Sequence, residues 1–173
     1  MKYFEDVAVG DIMRFGRYEV TKEEIVEYAR QFDPQPFHLD EEAGRRSMFG
    51  GLIASGWHTG AMFIRMVVQH MTPVHATAGA MGFDDLKWVK PVRPGDVLTV
   101  ESEVKEKVEG RRPDRGTVKI ESRIRNQRGE VDEPRVAGDI SEAVTPCEVS
   151  SPSTCGSGSR RTGPSSSRRS ATR

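Results

Sequence analysis

No cysteine occurs before residue 147 of this 173-residue chain; the two present are Cys147 and Cys155. The body therefore has no thiol nucleophile, no cysteine-built zinc cluster and no disulfide framework, which is the usage expected of a cytoplasmic protein. Long apolar runs are missing as well. None approaches the roughly 18 residues of a membrane-spanning helix, so no membrane partner is expected. The opening residues MKYFEDVAVGD place acids where a secretory leader has its apolar stretch. An excess of one charge is also absent: Lys+Arg and Asp+Glu number 26 each, which gives no support to a nucleic-acid partner.

That balance is a sum over unlike parts. Residues 1–130 carry 20 basic and 21 acidic side chains, whereas residues 131–150 carry one Arg and five acids. Residues 151–173 hold eight Ser, five Arg and no acid. A segment of that composition cannot bury enough apolar surface to offset its ordering entropy. One domain over residues 1–140 and a disordered tail over 141–173 are expected.

Residues 12–20 read as a first strand. Thr21 and Glu24 have the spacing of a capping box, and Ile25, Val26, Ala29 and Phe32 follow at helical spacing, predicting a helix over 22–31. Asp33-Pro34 and Gln35-Pro36 stop it, because a residue before proline is pushed out of the α region. A stiff, non-helical segment is expected from Asp33 to His38, and then a short helix capped by Asp40. Trp57 to Val68 contains one charge, Arg65, which predicts a helix buried on nearly all sides. Strands follow at 78–89, 97–109 and 117–126, with turns at Pro91–Asp96 and Asn126–Gly129. One antiparallel sheet folded around one apolar helix, an α+β fold, accounts for this order.

Two places carry chemistry. Asp33 and His38 put a carboxylate beside an imidazole, a pair suited to proton transfer near neutral pH. On spacing alone, a turn residue and a packed side chain are the plainer reading of the two. Gly50, Gly51 and Gly56 cluster before the apolar helix, whose free N–H groups stabilise negative charge. Gly56 or Trp57 is the candidate donor, against a plain packing role for the glycines. Gly51 and Gly56 have the spacing of a phosphate loop, but Trp57 stands where Lys is required, so none is assigned. His58, His70 and His75 match no standard metal spacing. No Asp or Glu lies between Ala43 and Phe83 to complete such a site, so packed histidines and no metal are expected. Arg111, Arg112 and Arg115 read as a solvated loop.

The segment Asp33-Pro34-Gln35-Pro36-Phe37-His38-Leu39-Asp40 resembles the hydratase motif of the MaoC-like dehydratases, the (R)-specific enoyl-CoA hydratases. Phe49 to Gly56 resembles that family's approach to its central helix, and Lys90 to Asp96 its strand connection. The resemblance spans about residues 5–130 and reverses the odds on Asp33 and His38. It implies a hot-dog fold, a sheet wrapped around a central helix, in a homodimer or higher homo-oligomer. It also implies that Asp33 and His38 activate a water, which adds to or leaves from a trans-2-enoyl thioester of fatty acid metabolism. Gly56 would hold the thioester oxygen, with Ser55, Trp57 and Phe37 lining the substrate site. No cofactor is implied; coenzyme A comes as part of the substrate.

Gln35 and Phe37 depart from the motif, where Asn and an aliphatic residue are usual, and Ser55 stands where many members have His. The family ends on a further apolar strand, whereas Val131 here precedes Asp132, Glu133 and Pro134, poor material for a sheet interior. A change of reading frame near Val131 would account for this ending, and residues such as Val136 and Ile140 would then have to supply the strand. Two other readings stand beside the hydratase. A hot-dog acyl-CoA thioesterase is opposed by the lack of any carboxylate in residues 47–71. A non-catalytic acyl-thioester-binding subunit would keep the fold without turnover.

Overall fold

The computed structural model describes residues 1–80, 82–83, 85–111, 115–128, 135–136 and 142–144. Strand β1 (Ile12–Glu19) is followed by helices α1 (Lys22–Phe32), α2 (Pro36–Leu39), α3 (Glu41–Arg46) and α4 (Gly56–Met71). Then come β2 (Thr77–Ala80), β3 (Val97–Glu109), β4 (Gly116–Arg125), β5 (Arg135–Val136) and β6 (Glu142–Val144). The sheet runs β1-β3-β4-β6-β2, with β5 also paired to β4. Every described strand pairing in it is antiparallel.

Alternation along β3 and β4 builds the sheet's two faces. Leu98, Val100 and Val104 of β3 and Val118, Ile120 and Ile124 of β4 are buried, in the register Val100↔Ile124 and Val104↔Ile120. A two-residue period sends their neighbours to the other face. There Glu101 meets Arg14 at 2.7 Å and Arg125 at 3.0 Å, and Lys105 stands between Glu103 and Glu121. Helix α4 covers the apolar face. Met62, Phe63, Met66, Val67 and Met71 join the strand residues in one core. Gly16 of β1 has a φ of +80°, and a Cβ there would come within 2.6 Å of Met66 Sδ. Both the backbone conformation and the close approach of α4 require glycine at this point.

Most predicted elements lie where expected. Thr21 caps α1, its hydroxyl accepting from the Glu24 N–H at 3.2 Å, and Asp40 caps α3 by accepting from the Ala43 N–H at 2.8 Å. Glu24 accepts from the Tyr18 hydroxyl at 2.7 Å, tying the first turn of α1 to β1.

Three expectations are corrected. The segment from Asp33 to His38 is not irregular throughout, because Pro36 begins helix α2. Proline is tolerated as a first helical residue, where its missing N–H is not needed. The strand expected over 78–89 ends at Ala80; residues 85–90 have no strand pairing and lie across the start of α4, where Trp88 packs on Gly56. Helix α4 is buried on one face only. Trp57, Ala61, Ile64 and Val68 are exposed, since the sheet reaches just the side that carries Phe63 and Met66.

Strand β6 lies between β4 and β2, so the described pairing reaches Val144, within the range read as tail. Ile140, residues 151–173, Arg112 and Gly129 lie outside the described residues.

Removing the largest core side chain, Phe63→Ala, should cost about 3–5 kcal/mol. Gly16→Ala should cost about 1–3 kcal/mol through strain and contact with Met66. Urea denaturation midpoints measure both, and a Gly16→Ala midpoint equal to the parent's would contradict the packing described here.

Candidate functional site

Asp33 is the C-cap of α1, and its own N–H donates to the Ala29 carbonyl at 3.0 Å. Helix α2 then delivers His38, which is 4% exposed. The stretch before α4 is laced to this unit. The Ile53 N–H donates to the Phe37 carbonyl at 3.3 Å, and the Ala54 N–H to the Val92 carbonyl at 2.8 Å. Arg93 Nη2 donates to the Phe49 carbonyl at 2.5 Å, while Asp96 accepts from the Arg93 N–H at 2.9 Å. Chain segments far apart in sequence are thereby held around one pocket.

The imidazole of His38 has a defined orientation. Its Nδ1 lies 2.8 Å from the Ile53 carbonyl oxygen. A carbonyl only accepts, so Nδ1 carries a proton, and in the neutral form of the ring the lone pair is at Nε2. Nε2 faces Asp33 Oδ2 at 3.5 Å. In the neutral form of the ring these are two acceptors, and a water that donates to both would fit between them.

Asp33 is held by two donors. The Ser55 hydroxyl donates to Oδ2 at 2.6 Å, and Gln35 Nε2 donates to Oδ1 at 2.9 Å. The Ser55 bond above all, and then the Gln35 bond, hold the carboxyl below its ordinary value; partial burial opposes them and the His38 ring assists. Both donors favour the ionised form. Asp33 is therefore a carboxylate at neutral pH, and its charge faces the imidazole.

Ser55 is 1% exposed and caps α4, its hydroxyl oxygen accepting from the Trp57 N–H at 3.3 Å. That engagement occupies the Trp57 N–H and leaves the Gly56 N–H, the first of the helix, without an acceptor among the described residues. A Cβ on Gly56 would lie 2.6 Å from Trp88 Nε1, so close packing by the indole requires glycine there.

Asp33, Phe37, His38, Ser55, Gly56 and Trp57 all line a single pocket of about 420 Å³. Phe37 packs edge-on to His38 with centroids 4.5 Å apart and tilts against Phe49 at 5.1 Å. Trp57 is 66% exposed and stands at the rim, edge to face with Trp88. Sequence reasoning named these six residues but missed four others. Gln35 appeared only as a departure from a motif, although a side-chain amide two residues from an aspartate is a readable signal. Trp88 and the Arg93–Asp96 pair gave none, because only the fold brings residues 88–96 to the helix start.

The remaining histidines are packed. His58 stacks on Tyr28 with ring centroids 4.6 Å apart, and His70 on Phe15 at 4.3 Å. Burial pushes the pKa values of His58 and His75 down. Among the described residues no cluster of three or more His, Cys, Asp or Glu could hold a metal ion, and no helix is long and apolar enough to cross a membrane.

The MaoC like domain family matches residues 7–124. The chain is 43% identical to a crystallised MaoC-like dehydratase from Rhodospirillum rubrum. That alignment covers 84% of this chain and 94% of the other, with a TM-score of 0.69. It is 34% identical over 112 residues to a 3-hydroxybutyryl-CoA dehydratase of Methylorubrum extorquens, covering 64% of this chain and 68% of that one. It is also 29% identical over 103 residues to an uncharacterized protein of Bacillus subtilis, covering 60% and 73%. The architecture these comparisons share is the hot-dog fold.

Ser55→Ala should raise the Asp33 pKa, because the largest cause of its depression is removed while partial burial still pushes upward. A carboxyl-carbon NMR titration reads this, and an unchanged midpoint would refute the assignment. Loss of the cap should also cost about 0.5–2 kcal/mol of stability.

Proposed function

The chain belongs to the MaoC-like dehydratase domain family, and from that premise we propose that it is a hydro-lyase acting on acyl thioesters. It adds water to a trans-2-enoyl thioester, or removes water from the 3-hydroxyacyl thioester. One observation carries the reading: the His38 Nε2 and the Asp33 Oδ2 face each other at 3.5 Å in the wall of a largely apolar pocket.

In the hydration direction, a water donates its hydrogen bonds to His38 Nε2 and Asp33 Oδ2. Its oxygen attacks C3 and one proton passes to the Asp33–His38 pair. The C2=C3 electron pair shifts toward the thioester carbonyl, whose oxygen becomes negatively charged. The Gly56 N–H, at the positive end of α4, stabilises that oxygen. The enolate then collapses and takes the proton at C2. Water has added across the double bond, and dehydration runs the same steps backward. The reaction so written needs no metal and no redox group, and coenzyme A enters as part of the substrate. Ser55 and Gln35 position the carboxylate, while Phe37 and Trp57 bound the space beside it. The dehydratase activity named for the 34% identical relative supports this substrate class.

The exposed face of α4 supports a homodimer. Trp57, Ala61, Ile64 and Val68 recur at helical spacing, and apolar stripes of this kind are covered in stable assemblies. Sedimentation equilibrium should give twice the monomer mass, with Ile64→Asp and Val68→Asp together reducing it to one; a monomeric parent would end this part of the proposal.

Crotonyl-CoA hydration, followed by loss of the conjugated thioester absorbance, tests the central reading. Asp33→Ala and His38→Ala should each lower kcat by about 10²–10⁴-fold, with thermal melting confirming a folded chain. A folded parent that turns over no enoyl thioester, or an Asp33→Ala variant as fast as the parent, would refute it.

A further inference from the structure

The proposed reaction places charge on a single thioester oxygen, and one backbone N–H is a thin provision for it. Several neighbouring donors at the start of α4 are engaged. The Trp57 N–H donates to Ser55 Oγ, the Ser55 hydroxyl to Asp33, and the Thr59 hydroxyl to the Ser55 carbonyl. Beside the Gly56 N–H lies a further donor, on a side chain from another part of the chain. Trp88 reaches the helix from residues 85–92, lines the same pocket and is 40% exposed. Its only polar atom is Nε1, a donor that takes no acceptor among the described residues.

The geometry brings that donor to the Gly56 N–H. The ideal Cβ position on Gly56 lies 2.6 Å from Trp88 Nε1, 2.7 Å from Cε2 and 2.8 Å from Cδ1. Three nearly equal distances mean that Gly56 abuts the face of the five-membered ring. The indole N–H therefore runs along the helix surface and not into it. At Gly60, one turn on, the Cβ position lies 3.4 Å from the far edge of the same indole. The ring is thus laid flat over two glycines on successive turns of the helix. In any residue the backbone N stands about 2.5 Å from its own Cβ, so the Gly56 and Trp88 nitrogens are at most about 5.1 Å apart. One oxygen accepting at about 2.9 Å from each donor spans up to about 5.8 Å.

We infer that Trp88 is a catalytic residue, its indole N–H being the second donor to the thioester oxygen beside the Gly56 N–H. The inference rests on the hydratase reading, since it concerns the oxygen that becomes charged in that reaction. The two donors come from elements that meet only in the folded chain. An indole held against glycine is also fixed before the substrate arrives, so little reorganisation accompanies charge development.

The test uses the full-length chain with crotonyl-CoA. Trp88→Phe keeps an aromatic ring without the N–H; benzothienylalanine at position 88 keeps the outline of the indole with sulfur in place of the N–H. Each should lower kcat by roughly 10- to 100-fold with KM changed far less and thermal melting near the parent's. The second readout is infrared. In an Asp33→Asn background that binds crotonyl-CoA without turnover, the ¹³C-labelled thioester carbonyl should move to lower frequency on binding, and should move less when position 88 lacks the N–H. A merely structural ring would leave that frequency alone in the benzothienylalanine protein. Unchanged kcat and an unchanged carbonyl shift in that protein, with the parent active, would overturn the role of Trp88 and leave the hydratase reading standing. A parent that neither hydrates crotonyl-CoA nor shifts its carbonyl would overturn both.

Discussion

The Ser55 hydroxyl joins the parts of this molecule that matter most to one another. It donates to Asp33 at the end of α1 and accepts from the Trp57 N–H at the start of α4. One buried atom thus caps the helix on which the core is built and sets the position and charge state of the carboxylate. A hydroxyl can do both because it has one donor and two acceptor sites. A residue with no hydroxyl leaves at least one of the two unserved. Placement of α4 against the sheet and placement of the charge in the pocket are for this reason the same problem, solved at residue 55.

The rest of the site follows from a second fixed bond, from His38 Nδ1 to the Ile53 carbonyl. In the neutral ring the bond selects the tautomer, and the tautomer makes Nε2 an acceptor. A carboxylate held ionised by two donors then faces a ring nitrogen with a free lone pair. Neither group hydrogen-bonds the other in that state, so the pair is open to a third molecule with two protons to offer. Arg93 and Asp96 contribute from a distance, by holding the Phe49–Ile53 stretch in place so that its carbonyls face inward. The pocket carries the Asp33–His38 pair at one edge and Phe37, Phe49, Leu98 and Ile124 in its wall, with Lys90, Asp96, Arg125 and Asn126 also lining it.

Helix α4 serves two surfaces. The Phe63 and Met66 side fills the core, while the Trp57, Ile64 and Val68 side is open in the single chain. Its apolar composition on both sides is what made it read as wholly buried. A sheet of this width covers one side of a helix, and the other side is apolar for a separate reason, which a partner copy supplies in the proposed dimer. Strand β6, between β4 and β2, shows the same dependence on context: a segment of weak strand composition occupies an interior position because two neighbouring strands leave their hydrogen-bonding edges toward it.

Local chemistry was decided by the sequence itself. Thr21 and Asp40 as caps and the strands at 97–109 and 117–126 with their inward and outward alternation follow from side-chain period and backbone restriction within a few residues, whereas the pairing of Asp33 with His38 was read from a resemblance, spacing alone favouring a turn residue and a packed side chain. The conversion of Pro36 from a breaker into the first residue of α2 was equally local, but it was misread, because proline excludes only the interior of a helix. The tertiary structure alone decided which oxygen of Asp33 meets Ser55, which tautomer His38 adopts, which face of α4 is covered, and that Trp88 lies on Gly56. Each of these depends on the separation of groups distant along the chain, at ångström precision. Periodicity states which face a residue occupies and is silent on what stands opposite it.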